Sequence, residues 1–144
     1  MEIDNPFDEG LRELSSGRPV TALGFFNKAA AEKKTPLISS YLAYCRAQTE
    51  GVYREAVNIC MEARKAEPKN SDIYLNLGRV HLLAGNRKMA LQVFRLGLRY
   101  ERNSRIINEL NALGQRKSPP IPFLNRGNPI NKYLGKLMAR FSFR

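Results

Sequence analysis

The sequence predicts an all-α fold in which helix hairpins stack into a solenoid. Two observations carry this expectation. The chain repeats itself with a period of about 34 residues, and each repeat joins a glycine to a small–large apolar couple at helical spacing. A third observation bounds it: 144 residues with 43% apolar content make one domain with a core of its own.

The period is visible in several columns held in phase. Gly17, Gly51 and Gly85 recur at one constant spacing, and Ala22, Ala56 and Ala90 recur at the same one. The large column is Phe26, Cys60 and Phe94, and the next small one is Ala29, Ala63 and Gly97. Gly10, Tyr44, Gly78 and Ala112 form a further column, and Pro68 closes the second unit. Each of the first three glycines falls where a helix stops and the chain reverses, a place that often needs positive φ. The alanine permits close helix approach, and the larger group one helical turn on fills the gap. One hairpin cannot bury its own apolar face, so successive hairpins stack into a right-handed superhelix.

Taken in order, the first helix opens at Asn5-Pro6 with Asp8 and Glu9 behind it, a sound start signal. The second carries Ala22 and Phe26 after Gly17. The third ends near Gly51, and the fourth carries Ala56 and Cys60. The segment Ile73 to Leu83 is apolar nearly all round its helix, which implies burial on more than one side. Past Gly85 comes the helix of Ala90 and Phe94. Residues 104–116, with Ile106, Ile107, Leu110 and Leu113 apolar, read as the first helix of a fourth unit that caps the array.

These columns resemble the tetratricopeptide repeat, whose pattern is Trp-x-x-Leu-Gly-x-x-Tyr, then Ala-x-x-x-Phe, then Pro. The third unit matches best, with Tyr74, Leu77, Gly78, His81, Ala90 and Phe94. The second keeps Ala56 and Pro68 but has Ser40, Ala43, Tyr44 and Cys60 at signature places, and the first has Pro6, Glu9 and Glu13. The resemblance covers residues 3 to about 116. It implies a non-enzymatic adaptor or scaffold that binds a protein or peptide along a concave surface lined by the first helix of each hairpin. Carried over, the lining is Phe7, Leu11 and Leu14, then Ile38, Tyr41, Cys45 and Gln48, then Leu75, Arg79, Leu82 and Leu83. That groove is mostly apolar, as interaction clefts often are. Members that grip acidic chaperone C-termini use a clamp of lysines, asparagines and arginine. The corresponding places here carry Phe7, Leu11 and Leu42, which argues against that ligand class.

Three regions follow: a repeat array with its cap over residues 1–117, a proline-rich linker over 118–129 and a basic amphipathic helical tail over 130–144. Ser118-Pro119-Pro120-Ile121-Pro122 favours extended polyproline geometry. Asn128-Pro129 starts a helix whose one face holds Ile130, Tyr133, Leu134, Leu137, Met138 and Phe141, with Lys132, Lys136 and Arg140 opposite. The expectation is that Tyr133, Leu134, Leu137 and Phe141 make an apolar contact. The surface they meet is the chain's own solenoid, a partner or second copy (a homodimer), or an anionic membrane surface.

The net charge of +11 sits mainly in residues 115–144, which hold seven basic side chains and no acidic one. A nucleic-acid partner is the weaker reading, because the basic groups alternate with a regular apolar face and no nucleic-acid motif accompanies them. No catalytic, metal or cofactor site and no small-molecule substrate is expected. The single histidine, His81, takes an aromatic column, and Cys45 and Cys60 read as reduced, packed thiols. No phosphate-loop pattern surrounds Gly114 or Gly127. The acidic start Met1-Glu2-Ile3-Asp4 lacks the order of a signal peptide, and no stretch reaches the ~18–20 apolar residues of a membrane span, so a cytoplasmic location is expected.

Overall fold

Most helix starts among the described residues are set by a side chain that accepts from a backbone N–H the helix leaves unpaired. The computed structural model describes residues 5–115 and contains, among them, seven helices. They are α1 (Pro6–Ser15), α2 (Pro19–Glu32), α3 (Pro36–Glu50), α4 (Tyr53–Ala66), α5 (Ser71–Leu83), α6 (Arg87–Tyr100) and α7 (Ser104–Gln115). The Asn5 side chain accepts from the Phe7 N–H at 3.0 Å ahead of Pro6, and Thr35 does the same for Ile38 at 3.2 Å ahead of Pro36. Asn70, Asn86 and Asn103 cap α5, α6 and α7 in turn.

The hairpins reverse at Gly17, Gly51 and Gly85, with φ of 77°, 72° and 81°. Around Gly85 the chain closes a double bond pattern, with Gly85 N–H to Leu82 C=O at 3.0 Å and Asn86 N–H to His81 C=O at 2.8 Å. Gly17 and Arg18 repeat it on Leu14 and Glu13. The expected turn glycines are therefore the positive-φ residues, and a side chain at any of the three would be strained.

Packing follows the repeat columns. Ala22, Ala56, Ala90, Phe26, Cys60 and Phe94 are all at most 1% exposed, where the two helices of each hairpin cross. A Cβ built on Gly10 would lie within 3.0 Å of the Phe26 ring, and one on Gly78 would do the same to Phe94. In both hairpins the glycine is the socket and the phenylalanine the plug. The second hairpin reverses the sizes: Tyr44 replaces the glycine and Cys60 the phenylalanine, and both belong to one core cluster.

Helix α5 packs against α3, α4 and α6, which is why its sequence is apolar nearly all round. Residues 73–78 and Val80 are buried. Its one buried amide is held across the repeat interface: Asn76 Nδ2 donates to Ser40 Oγ at 2.9 Å, and Ser40 Oγ donates to the Leu37 carbonyl at 2.7 Å. Tyr74 Oη donates to the Pro68 carbonyl at 2.6 Å, tying the α4–α5 turn to the next hairpin. The proline-rich linker (118–129) and the tail residues Tyr133, Leu134, Leu137 and Phe141 lie outside the described residues. Among the described residues no helix is long and apolar enough to cross a membrane.

Candidate functional site

The first helices of the four units, α1, α3, α5 and α7, jointly line a cavity of about 350 Å³. From α1 come Leu11, Leu14 and Ser15, and from α3 Tyr41 and Tyr44. Helix α5 contributes Arg79, and α7 contributes Arg105, Asn108, Glu109 and Ala112. Helix α7 is held there by Arg87, whose Nη2 donates to the Leu113 carbonyl at 3.0 Å, and by burial of Ile106 and Leu113.

Arg79 is the centre of the charged side. Its Nε lies 3.1 Å from Glu109 Oε1, with side chains only 17% and 28% exposed. Its guanidinium also lies over the Tyr44 ring, 5.1 Å from the centroid. A cation–π contact of this kind is worth about 0.5–2 kcal/mol depending on desolvation, comparable with or larger than an exposed ion pair. Arg79 is thus oriented by two neighbours rather than one. Arg105 reaches Asp72 at 3.8 Å, too far for a hydrogen bond, while Asp72 Oδ1 already accepts from Asn103 Nδ2 at 2.7 Å.

Tyr41 forms the floor. Its ring stacks on Phe26 at 5.2 Å and meets Phe7 edge-on at 5.5 Å. Its hydroxyl is buried near Arg105 and Asp72, with no hydrogen-bond partner within 3.5 Å among the described residues. Burial, reinforced by the Asp72 charge, pushes its pKa up to about 12, so it remains a neutral donor at any physiological pH.

Of the residues expected to line the groove, Leu11, Leu14, Tyr41 and Arg79 meet in this cavity, and Phe7 supports Tyr41 from behind. Cys45 and Leu75 are 0% exposed and Ile38 only 9%, so they pack between helices and do not line the cavity. The physical reason is that a first helix inside a stack is touched by its own hairpin partner and by both neighbouring units. Burial pushes the Cys45 and Cys60 thiols up to about 12, which leaves them unreactive. Gln48 is exposed, while Leu82 and Leu83 pack against separate core clusters. The lining is also more polar than the apolar groove expected, because α7 brings Arg105, Asn108 and Glu109 to it.

Six lining residues were not anticipated: Ser15, Tyr44, Arg105, Asn108, Glu109 and Ala112. Two signals point to three of them. Tyr44 and Ala112 are the members of the Gly10–Gly78 column that are not glycine, and Glu109 stands one full repeat after Leu75 in the column Phe7, Tyr41, Leu75. Extending that lining column by one unit reaches Glu109.

No curated protein and no solved structure matches the chain. The family model described as tetratricopeptide repeat matches residues 47–112, from the end of α3 to within α7. By that match residues 47–112 are tetratricopeptide repeats, a helical-hairpin solenoid family whose repeats generally mediate protein–protein interaction, and the hairpin of α1 and α2 continues their columns in phase.

Proposed function

We propose that the chain is a polypeptide-binding adaptor that receives its partner in the cavity between α1, α3, α5 and α7. The supporting observation is convergence: one side chain or more from each of four first helices faces a single concave space. Structure maintenance alone gives no reason to spread polar groups such as Arg105, Asn108 and Glu109 on an inner surface. The space suits one or two side chains of an extended or helical peptide, with Leu11, Leu14 and Tyr44 offering apolar contact around a polar centre.

Ser15 and Ala112 are exposed and line the cavity, so a large side chain there obstructs it without entering the core. Ser15→Trp with Ala112→Trp is expected to keep the parental melting temperature and to lose proteins that the parent captures from its source cells. Retention of the same proteins at the same level by the doubly obstructed variant would place binding elsewhere.

A further inference from the structure

We infer that the outer face of α6 docks on the surface of an anionic phospholipid bilayer, through a stripe of cations that have no partner within the array. The stripe is separate from the cavity between the first helices, and it stands independently of the polypeptide-binding reading.

Charge is divided sharply along the chain. Residues 1–86 hold eleven basic and eleven acidic side chains, whereas residues 87–144 hold thirteen basic and two acidic. The whole net charge of +11 therefore arises from α6 onward. Within α6, Lys88, Arg95 and Arg99 are spaced by seven and four residues, which sets them on one face, and all three are exposed. Among the described residues none of the three makes an ion pair or a side-chain hydrogen bond. The helix has no acidic residue of its own, and the two acids that follow it are engaged elsewhere. Glu101 accepts from the Ser71 hydroxyl at 2.7 Å and Glu109 from Arg79 at 3.1 Å. The repeat supplies an internal control. In the first unit the equivalent places are Val20, Asn27 and Ala31, without charge. In the second they are Arg54, Met61 and Lys65, and Lys65 is paired with Glu62 at 3.3 Å. Those hairpins fold without the stripe, so hairpin packing does not require it.

A row of unpaired cations on an exposed helix suits a polyanion, and the surroundings decide which one. Met89 and Tyr100 each follow a stripe cation in sequence, so both lie along one edge of the stripe, and they remain 40% and 46% exposed. On a bilayer the headgroup phosphates meet the cations, while apolar and aromatic groups settle at the hydrocarbon boundary. The sequence after α7 continues this composition, with Lys132, Lys136 and Arg140 set among Tyr133, Leu134 and Leu137. A nucleic acid meets the cations and can stack a base on Tyr100, but it has no place for Met89 or the leucines. A bilayer receives both kinds of group. The position of the stripe also suits a flat partner, because the first helices line the concave cavity and α6 belongs to the outer layer.

Cosedimentation of the full chain with vesicles tests this. The vesicles are of phosphatidylcholine alone, or of phosphatidylcholine and phosphatidylglycerol in equal parts. Binding is expected to the anionic vesicles only, and it should fall as salt rises. Each cation near an anionic surface strengthens binding about fivefold, so Lys88→Gln, Arg95→Gln and Arg99→Gln together should weaken it on the order of a hundredfold. Lys28→Gln, Lys33→Gln and Lys34→Gln together remove the same charge from the first unit and should weaken it by less than about fivefold. Lys88→Arg with Arg95→Lys and Arg99→Lys keeps the charge and should bind as the parent does. The melting temperature of each variant checks that it is folded. Absence of binding to the anionic vesicles would overturn the inference. So would equal loss in both glutamine triples, which would reduce the effect to net charge. Parental binding by the α6 triple would overturn it as well, by assigning the contact to residues beyond α7. A random-sequence oligonucleotide, single-stranded or duplex, tests the other polyanion by fluorescence polarisation. Tighter binding to it than to the vesicles, lost in the α6 triple, would reassign the stripe to nucleic acid.

Discussion

Tyr44 and Arg79 meet across the interface of the second and third hairpins, the guanidinium 5.1 Å from the centre of the phenol ring. Tyr44 stands in a column that is glycine in the first and third units, so this contact exists because the repeat pattern is broken there. Tyr44→Phe should preserve both stability and ligand binding, since the ring is the platform. Tyr44→Ala should cost about 2–4 kcal/mol in denaturant unfolding by opening a cavity, and should weaken peptide binding by releasing Arg79. Equal binding by the alanine variant would show that the platform is unnecessary.

Two helical glycines should answer the same substitution with opposite signs. A Cβ at Gly78 would collide with the fully buried Phe94 ring, and overpacking of that kind costs about 1–3 kcal/mol, more than the ~1 kcal/mol gained in helix propensity. Gly78→Ala should therefore lower the unfolding free energy. At Gly24, inside α2, nothing among the described residues lies within 4 Å of the added Cβ, so Gly24→Ala should raise it by up to about 1 kcal/mol. The pair is a control on the packing account, because the two changes alter composition identically.

Ser40 and Asn76 make a buried polar pair between hairpins, and Asn76 Oδ1 has no partner among the described residues. Ser40→Ala alone leaves the Asn76 amide donor unpaired as well and should destabilise by about 1–3 kcal/mol. Ser40→Ala combined with Asn76→Leu should recover most of that loss, because no buried polar side chain remains at the pair. A double variant as unstable as the sum of both single ones would mean the pair does more than satisfy itself.

Two groups give stability an acid dependence in separate windows. Burial lowers the His81 pKa below 6.5, so folding favours the neutral ring. Its contribution is complete above about pH 6.5 and declines as pH falls through 6.5 toward the folded value. Glu101 is lowered below 4.5 by hydrogen bonds from the Ser71 hydroxyl and backbone N–H, so its contribution is complete above 4.5 and declines below it. His81→Phe should flatten the melting temperature between pH 7.5 and 5.5, and Glu101→Gln should affect only the more acidic limb. A parental melting temperature constant down to pH 5 would contradict the first assignment.

The fold was legible because its determinants are local and repeated. Gly17, Gly51 and Gly85 mark the turns, and Ala22, Ala56 and Ala90 with Phe26 and Phe94 mark the crossings. The site was legible only in part. Leu11, Leu14, Tyr41 and Arg79 follow from their helix face, but a helical wheel cannot separate a residue facing the concave side from one facing the next hairpin. Cys45 and Leu75 fell on the wrong side of that division. Arg105 and Glu109 were hidden for another reason. They act through Asp72 and Arg79, which belong to the preceding unit, and only the stacking of α7 creates those contacts.

A polypeptide seated between the first helices would lie within reach of the side chains that line the cavity. Site-specific photo-crosslinking in the source cell tests it most directly, with a photoreactive phenylalanine at Ser15 or Ala112 on the cavity, or at Val20 or Arg95 on the exposed outer helices. A discrete crosslinked polypeptide is expected from Ser15 and Ala112, reduced by Arg79→Gln, and none of the same mass from Val20 or Arg95. The same crosslinked species arising from Val20 or Arg95 and absent from both cavity positions would contradict it.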